Sequence, residues 1–399
     1  MSGRYRNTRY WNLYVLDGQL PWPDFPTTDV VPDFDPASDM SMSFLQRHIS
    51  DCDANHPGCR VAASSVPTRL IQLVGGNTFR IVESANHLVD PVPYVALSYC
   101  WGADQALKLK EDNKTQLQQG LPITTLPIVF HDTITVAKKL GIQYLWIDSL
   151  CILQDSDSDW RKESKRMAQV YSGAYITIAA ASSATTTESF LNPGPRDYGV
   201  YTDAKPKRIP IKDSSGNLVT ELLALPENVT SRHYKNPNIR HADPLTKRGW
   251  TLQEKLLSTR MISFGLAELE WVCASESACE CRTDEENESV HSPRSKQELL
   301  GYWYDRLAEY CGRNLTFPKD KLPALAGLAR VVGDKLGSKY LAGIWEDDLL
   351  GGLTWYVNLD DDPSFSWKFG PLPGFPRDYR APSWSWASIN GRVEITDTE

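Results

Sequence analysis

The sequence predicts an α/β fold, with a parallel sheet core over about residues 90–185 and mixed α+β elements after it. Three observations carry this. Tyr94-Val-Ala-Leu-Ser-Tyr99 and Tyr144-Leu-Trp-Ile147 are short, nearly uninterrupted apolar runs, the pattern of strands buried on both faces. Between them, Pro127 to Leu140 repeats at helical spacing, with Ile128, Ile134, Ala137 and Leu140 turned inward. Pro127 sits in its first turn and Gly141 just past its end. A second helical stretch from about Asp157 to Tyr171 leads into a third strand, Ala174–Ala181. The order strand, helix, strand, helix, strand implies right-handed crossovers and a sheet covered on both faces.

The remaining elements follow in turn. Residues 1–41 are rich in Pro, Asp and aromatics without a period and read as an irregular arm. A short helix is expected from Met42 to Cys59, ending near Pro57-Gly58. Thr68–Leu73 and Phe79–Val82, separated by Gly75-Gly76, suit a hairpin. The main domain spans 42–260, and a C-terminal α+β extension packed on it spans 261–399. Ser182 to Ser189 reads as a loop, and 190–245 shows no legible pattern. Beyond it come strands at Met261–Phe264 and Glu270–Cys273 and helices at Lys296–Tyr310 and Leu322–Leu336. Trp384-Ser-Trp386 is expected to be a strand that packs both indoles on a core. The acidic patches Asp284-Glu285-Glu286 and Asp360–Asp362 read as solvated loops.

Composition narrows the function. The chain has 399 residues, 41% hydrophobic and 23% charged, ordinary globular values. Lys plus Arg number 42 against 50 Asp plus Glu, for a net charge of −8. That balance argues against sequence-independent nucleic-acid binding, which needs many cationic contacts to phosphate. Met1 to Leu20 lacks the apolar stretch of a secretory signal, and no window approaches the ~18 apolar residues of a membrane span. The expected location is cytoplasmic, where the eight cysteines stay reduced.

Common nucleotide and hydrolase motifs are missing: the P-loop, G-x-G-x-x-G, H-E-x-x-H and G-x-S-x-G. The informative anomaly lies in the second helix. At about 100° per residue, Met167, Val170, Tyr171 and Ala174 share an arc with Trp160, and Arg161, Lys162, Lys165 and Arg166 lie opposite. Glu163 falls inside the apolar arc. A carboxylate there is costly unless it is paired in the interior or faces a cleft. Sheet topology favours the cleft. Ligands of open parallel sheets sit beyond the carboxyl ends of the strands. Ser98, Tyr99, Trp101 and Gly102 after the first strand, and Asp148 and Cys151 after the second, converge there with Trp160. The two indoles offer stacking surfaces for a flat ring. Cys151 as a nucleophile has no His tied to it by a motif. Cys52-x3-His56-x2-Cys59 and Cys273-x5-Cys279-x-Cys281 hold ligand residue types. Zinc sites, however, show two clear pairs at short spacing, and these pairs are irregular and distant. The spacing therefore favours reduced structural thiols and no metal.

The ordered series of motifs resembles the fungal heterokaryon incompatibility (HET) domain family. It runs from Tyr94-Val-Ala-Leu-Ser-Tyr-Cys-Trp-Gly102 through Leu126-Pro127 with Asp132 to Leu140-Gly-Ile-Gln-Tyr-Leu-Trp-Ile-Asp-Ser-Leu-Cys-Ile-Leu-Gln154. Asp159-Trp160 with Glu163, Met167 and Tyr171 follows, then Arg248-Gly-Trp-Thr-Leu-Gln-Glu254. The flanks, from Cys52-x3-His56-x2-Cys59 to Ala381-Pro-Ser-Trp-Ser-Trp-Ala387, also look like those of stand-alone members. The resemblance implies a role in fungal non-self recognition, with the domain triggering growth arrest and programmed cell death. HET domains are also distantly similar to Toll/interleukin receptor (TIR) domains, which have a flavodoxin-like fold. Some of these cleave NAD at the nicotinamide–ribose bond with a glutamate in a Trp-x-x-x-Glu setting. The likeness makes Glu163, in Trp160-x-x-Glu163, the expected catalytic residue of an NAD hydrolase. Ser98, Tyr99, Trp101, Gly102, Asp148, Cys151 and Trp160 would then bind a nucleotide, with NAD as substrate and no separate cofactor. The same likeness allows a non-catalytic module working through self-association or HET and NLR-type partners. It also allows an enzyme recruited to secondary metabolism, with Arg248 and Glu254 as further candidates.

Overall fold

The computed structural model describes residues 11–16, 27–28, 35–60, 66–75, 77–102, 107–192, 207–226, 243–266, 268–280, 282–286, 294–357, 376 and 378–395. Helix α1 (Asp39–Asn55) starts at Ser38, whose hydroxyl accepts from the Ser41 amide. It buries Phe44, Leu45 and Ile49 on the main core. Strands β1 (Arg69–Val74) and β2 (Thr78–Glu83) form the predicted hairpin. Strand β3 (Tyr94–Ser98) is buried throughout, as its unbroken apolar run requires. After the short β4 (Leu121–Pro122) come α2 (Ile128–Lys139), β5 (Tyr144–Trp146) and the single turn α3 (Asp148–Cys151). The helix expected over 157–171 is two: α4 (Asp157–Ser164) and α5 (Met167–Gly173). At the break between them, Arg166 reaches back to the Val66 carbonyl and the Thr68 hydroxyl. Then follow β6 (Ile176–Ala179), α6 (Gly249–Leu257) and the antiparallel run β7 (Arg260–Phe264), β8 (Leu269–Cys273), β9 (Glu276–Cys279) and β10 (Arg282–Glu286).

These strands make one 10-stranded sheet in the order β10-β9-β8-β7-β6-β3-β5-β1-β2-β4. Its centre is parallel, with β5, β3, β6 and β7 side by side. In chain order these are the second, first, third and fourth parallel strands, the doubly wound arrangement of the flavodoxin type. The parallel core extends past residue 185, because β7 adds a strand from the far side of the 190–245 region. The flanks are antiparallel, since the tight links within β1–β2 and β7–β10 leave no room for a crossover. Asp284-Glu285-Glu286 therefore lies in a strand and not in a loop.

A second apolar core gathers α6, α7 (Lys296–Cys311) and α8 (Ala326–Leu336) around Trp303, Trp345 and Trp386. The expected strand at Trp384-Ser-Trp386 is instead a bend into a 3₁₀ turn over Trp386–Ser388. Ser385 accepts from the Ala387 amide and caps that turn. Trp386 is buried, with its indole N–H donating to the Gly343 carbonyl at 2.8 Å, whereas Trp384 is exposed. Inside the N-terminal arm, Trp11–Leu16 is a strand paired antiparallel with Leu218–Pro226. Among the described residues no helix is long and apolar enough to cross a membrane. The patch Asp360–Asp362 lies outside the described residues.

Candidate functional site

A cavity of about 970 Å³ opens beyond the carboxyl ends of β3 and β5, where a doubly wound sheet places its ligands. Trp101 and Gly102 reach it from the end of β3, Asp148 from the end of β5, Trp160 and Met167 from α4 and α5. Gly102 turns there with φ +71°, and a Cβ at this position would come within 3.1 Å of Thr185. Arg248, Trp250 and Glu254, at the start and middle of α6, form the opposite wall. Thr316, Phe317, Lys319 and Asp320, from the segment after Cys311, line the remaining side.

Two carboxylates dominate the electrostatics. Asp148 accepts from the Trp101 indole N–H at 2.7 Å and from the Ser149 amide at 2.7 Å. Burial nevertheless raises its carboxyl above the ordinary value, against the Tyr99 hydroxyl and the nearby Arg248. Glu254 is buried, and its carboxyl is pushed up to about 7. Loss of water is the largest cause. The Ser98 hydroxyl and Arg248 work the other way, and the Asp148 charge adds to the rise. Arg248 is held by a hydrogen bond to the Tyr99 carbonyl. The Trp250 indole donates to Asp320 at 3.2 Å, and Lys108 lies 5.3 Å from the centre of the Trp101 ring. The cavity thus combines aromatic faces, rim cations and acids whose protons are held unusually tightly.

Of the residues singled out from sequence, the fold brings Trp101, Gly102, Asp148 and Trp160 to the cavity wall. Ser98 lies one layer behind, against Glu254, and Tyr99 is buried behind Asp148. Cys151 is buried, its carbonyl accepting from Arg69 at 2.9 Å. Burial pushes its thiol up to about 12, so it is neither a thiolate nor part of the wall.

Glu163 is 2% exposed and does not line the cavity. Its Oε1 accepts from the Thr68 hydroxyl at 2.7 Å, with the Lys162 ammonium 3.7 Å away. One helical turn earlier, Asp159 pairs with Arg69 of β1 at 2.7 Å and accepts from the Leu153 amide. One flank of α4 therefore seals Asp159 and Glu163 against β1, and the other sends Trp160 and Ser164 into the cavity. Sequence reasoning placed Trp250 and Asp320 nowhere and ranked Glu254 below Glu163. The available signal was the acid ending Arg248-Gly-Trp-Thr-Leu-Gln-Glu254, the one carboxylate of that motif.

No curated protein and no solved structure gives a significant match to the chain. One family model matches, described as Heterokaryon incompatibility protein (HET), and it runs from Tyr94, the first residue of β3, to Glu254. Residues 94–254, which carry most of the cavity wall, are thus the part of the chain that is similar to that family.

Proposed function

We propose that the protein is a HET-domain effector that hydrolyses the nicotinamide–ribose bond of NAD in the cavity, with Glu254 as its catalytic carboxylate. The observation that carries this reading is a buried carboxyl poised at about 7 on the wall of a nucleotide-sized space. Trp101, Trp160 and Trp250 offer flat faces for the two bases, and Lys108, Lys110, Lys319 and Arg248 can meet a diphosphate.

The chemistry suits such a site. The C1′–N bond breaks with its electron pair going to the nicotinamide ring, which leaves as a neutral base and needs no proton. The ribosyl centre becomes cationic, and a nearby carboxylate stabilises it. Water then bonds to C1′, and its proton passes to the Glu254 carboxylate. Asp148, locked by Trp101 and the Ser149 amide, suits orientation of the ribose hydroxyls. Because the base form of Glu254 is required, kcat/KM should rise with pH and level off above about 7.

The test is nicotinamide release from NAD by the purified chain, free and clustered. Glu254→Gln should cut the rate about 100-fold or more, and Glu163→Gln should keep most of it. Release that survives Glu254→Gln and disappears with Glu163→Gln would move the chemistry to α4. No release from the folded wild type would end the NAD reading.

A further inference from the structure

The fold assembles a second cluster of reactive side chains, at the opposite flank of the sheet from the β1–β2 hairpin. Cys52 lies in the last turn of α1, and His56 caps that helix. Cys59 ends the 3₁₀ turn Pro57–Cys59, and Cys273 is the last residue of β8. One ligand atom from each of the four lies within 4.8 Å of all the others. All three cysteines are buried, and no disulfide joins them. His56 is half-buried.

We infer that Cys52, His56, Cys59 and Cys273 form a structural zinc site that fastens the end of α1 to the β8–β9 turn. With Zn–S near 2.3 Å and Zn–N near 2.05 Å, a tetrahedron places sulfur and nitrogen ligands about 3.6 Å apart. His56 Nδ1 stands 3.5 Å from Cys273 Sγ. Pairs of sulfurs should stand about 3.8 Å apart, so the 4.8 Å envelope needs only a small contraction.

The surroundings match what orients metal ligands. The second ring nitrogen of His56, Nε2, faces the Glu276 carboxylate at 3.8 Å, which favours the tautomer that leaves Nδ1 free to ligate. The Ser275 and Glu276 amides point at Cys273 Sγ at 3.4 and 3.3 Å, and Arg260 Nε points at Cys52 Sγ at 3.2 Å. Such donors stabilise thiolates, and the Arg260 cation offsets the excess negative charge of three thiolates around a divalent ion. Soft thiolates with one imidazole in a tetrahedron select zinc among common cellular ions, and four protein ligands leave no open position for catalysis.

Spacing alone hid the site because its members come from two places. Three ligands lie within residues 52–59, and the fourth arrives only when β8 joins the sheet. Of the cysteines after Cys273, Cys279 lies outside the cluster, and Cys281 lies outside the described residues.

The decisive experiment measures metal in the full chain, purified without added metal or chelator, by inductively coupled plasma mass spectrometry. About one zinc per chain is expected. Cys273→Ser and Cys59→Ser should each lose most of it, and Cys311→Ser should keep it. Should the cysteine variants fail to fold, wild-type protein exchanged with cobalt(II) supplies a second readout. It should show the intense visible bands of a tetrahedral ion and near-ultraviolet thiolate charge transfer. Zinc below about a tenth of an equivalent, with cobalt giving only weak octahedral bands, overturns the inference. A disulfide joining any two of Cys52, Cys59 and Cys273 in peptide mapping overturns it as well.

Discussion

Glu254→Gln should separate stability from activity, and its effect on stability should depend on pH. The folded chain holds this carboxyl at about 7, against an ordinary value of 4.5. Its folded value is raised, so the folded state binds the proton more tightly than the unfolded chain does. Below 4.5 both states carry the proton and nothing is lost. As pH climbs from 4.5 to 7, stability falls. Above 7 the folded protein pays for a buried charge, by about 3 kcal/mol at most. Glutamine fills the same volume and never ionises, so it escapes that penalty. The variant should match the wild type in urea denaturation at pH 4.5 and exceed it by up to about 3 kcal/mol at pH 8. For a cooperative chain of this length that is a rise in melting temperature of about 4 °C. A variant equal to or weaker than wild type at pH 8, with the same difference at pH 4.5, would refute the reasoning. The cavity carboxyl would then not be held protonated by burial. A gain in stability bought with a loss of activity is the usual mark of a functional acid.

Two further substitutions probe the frame of the site. Arg69→Ala removes the fork that holds Asp159, leaving a buried carboxylate without its cation. It should cost about 3–5 kcal/mol in urea unfolding, largely recovered by adding Asp159→Asn, and a cost below 1 kcal/mol would show the pair to be incidental. Gly102→Ala forces a side chain into the left-handed region and toward Thr185. It should cost about 1–2 kcal/mol in thermal melts, and an unchanged melting temperature would mean that this turn relaxes freely.

The main strands were legible because burial on both faces leaves an unbroken apolar run. Val95, Ala96, Leu145, Ile176 and Ile178 are all fully buried, as their runs demanded. The α2 helix was legible for the complementary reason, with period 3.6 and a proline at its start; Ile134 and Ala137 are buried as expected, but Ile128, in the first turn, is exposed. At Glu163 the covered side was right, but the choice of cleft over interior was not. A helical wheel assumes one continuous helix with one buried side. Here the helix breaks after Ser164, and α4 has two covered flanks, one on β1 and one on the cavity. Buried acids occupy the first, and the wheel cannot tell that flank from the second. The Trp384–Trp386 segment misled in another way: alternating indoles suggest a strand, but Pro382 and the Ser385 cap favour a turn. The thiol–imidazole cluster was beyond local reading altogether, since its fourth member lies more than 200 residues downstream.

The wall of the cavity also draws on residues beyond the matched region. Helix α6 faces two ways. Leu252 and Leu257 sink into the second core, and Glu254, on the same helix, turns to the first. Gln253 accepts from the Gly327 amide at 2.6 Å, and Arg313 donates to Thr251 at 3.0 Å. The position of the cavity carboxylate is therefore fixed from behind by α7, α8 and the loops around them, all outside residues 94–254. Thr316, Phe317, Lys319 and Asp320 complete the enclosure from the same side. The domain brings the acid and the aromatic faces. The C-terminal core holds the helix that carries that acid, and burial of Glu254 is what raises its proton affinity. Contact between the two cores thus sets the surroundings of Glu254, and loosening the second core should lower the Glu254 value toward that of an ordinary exposed glutamate.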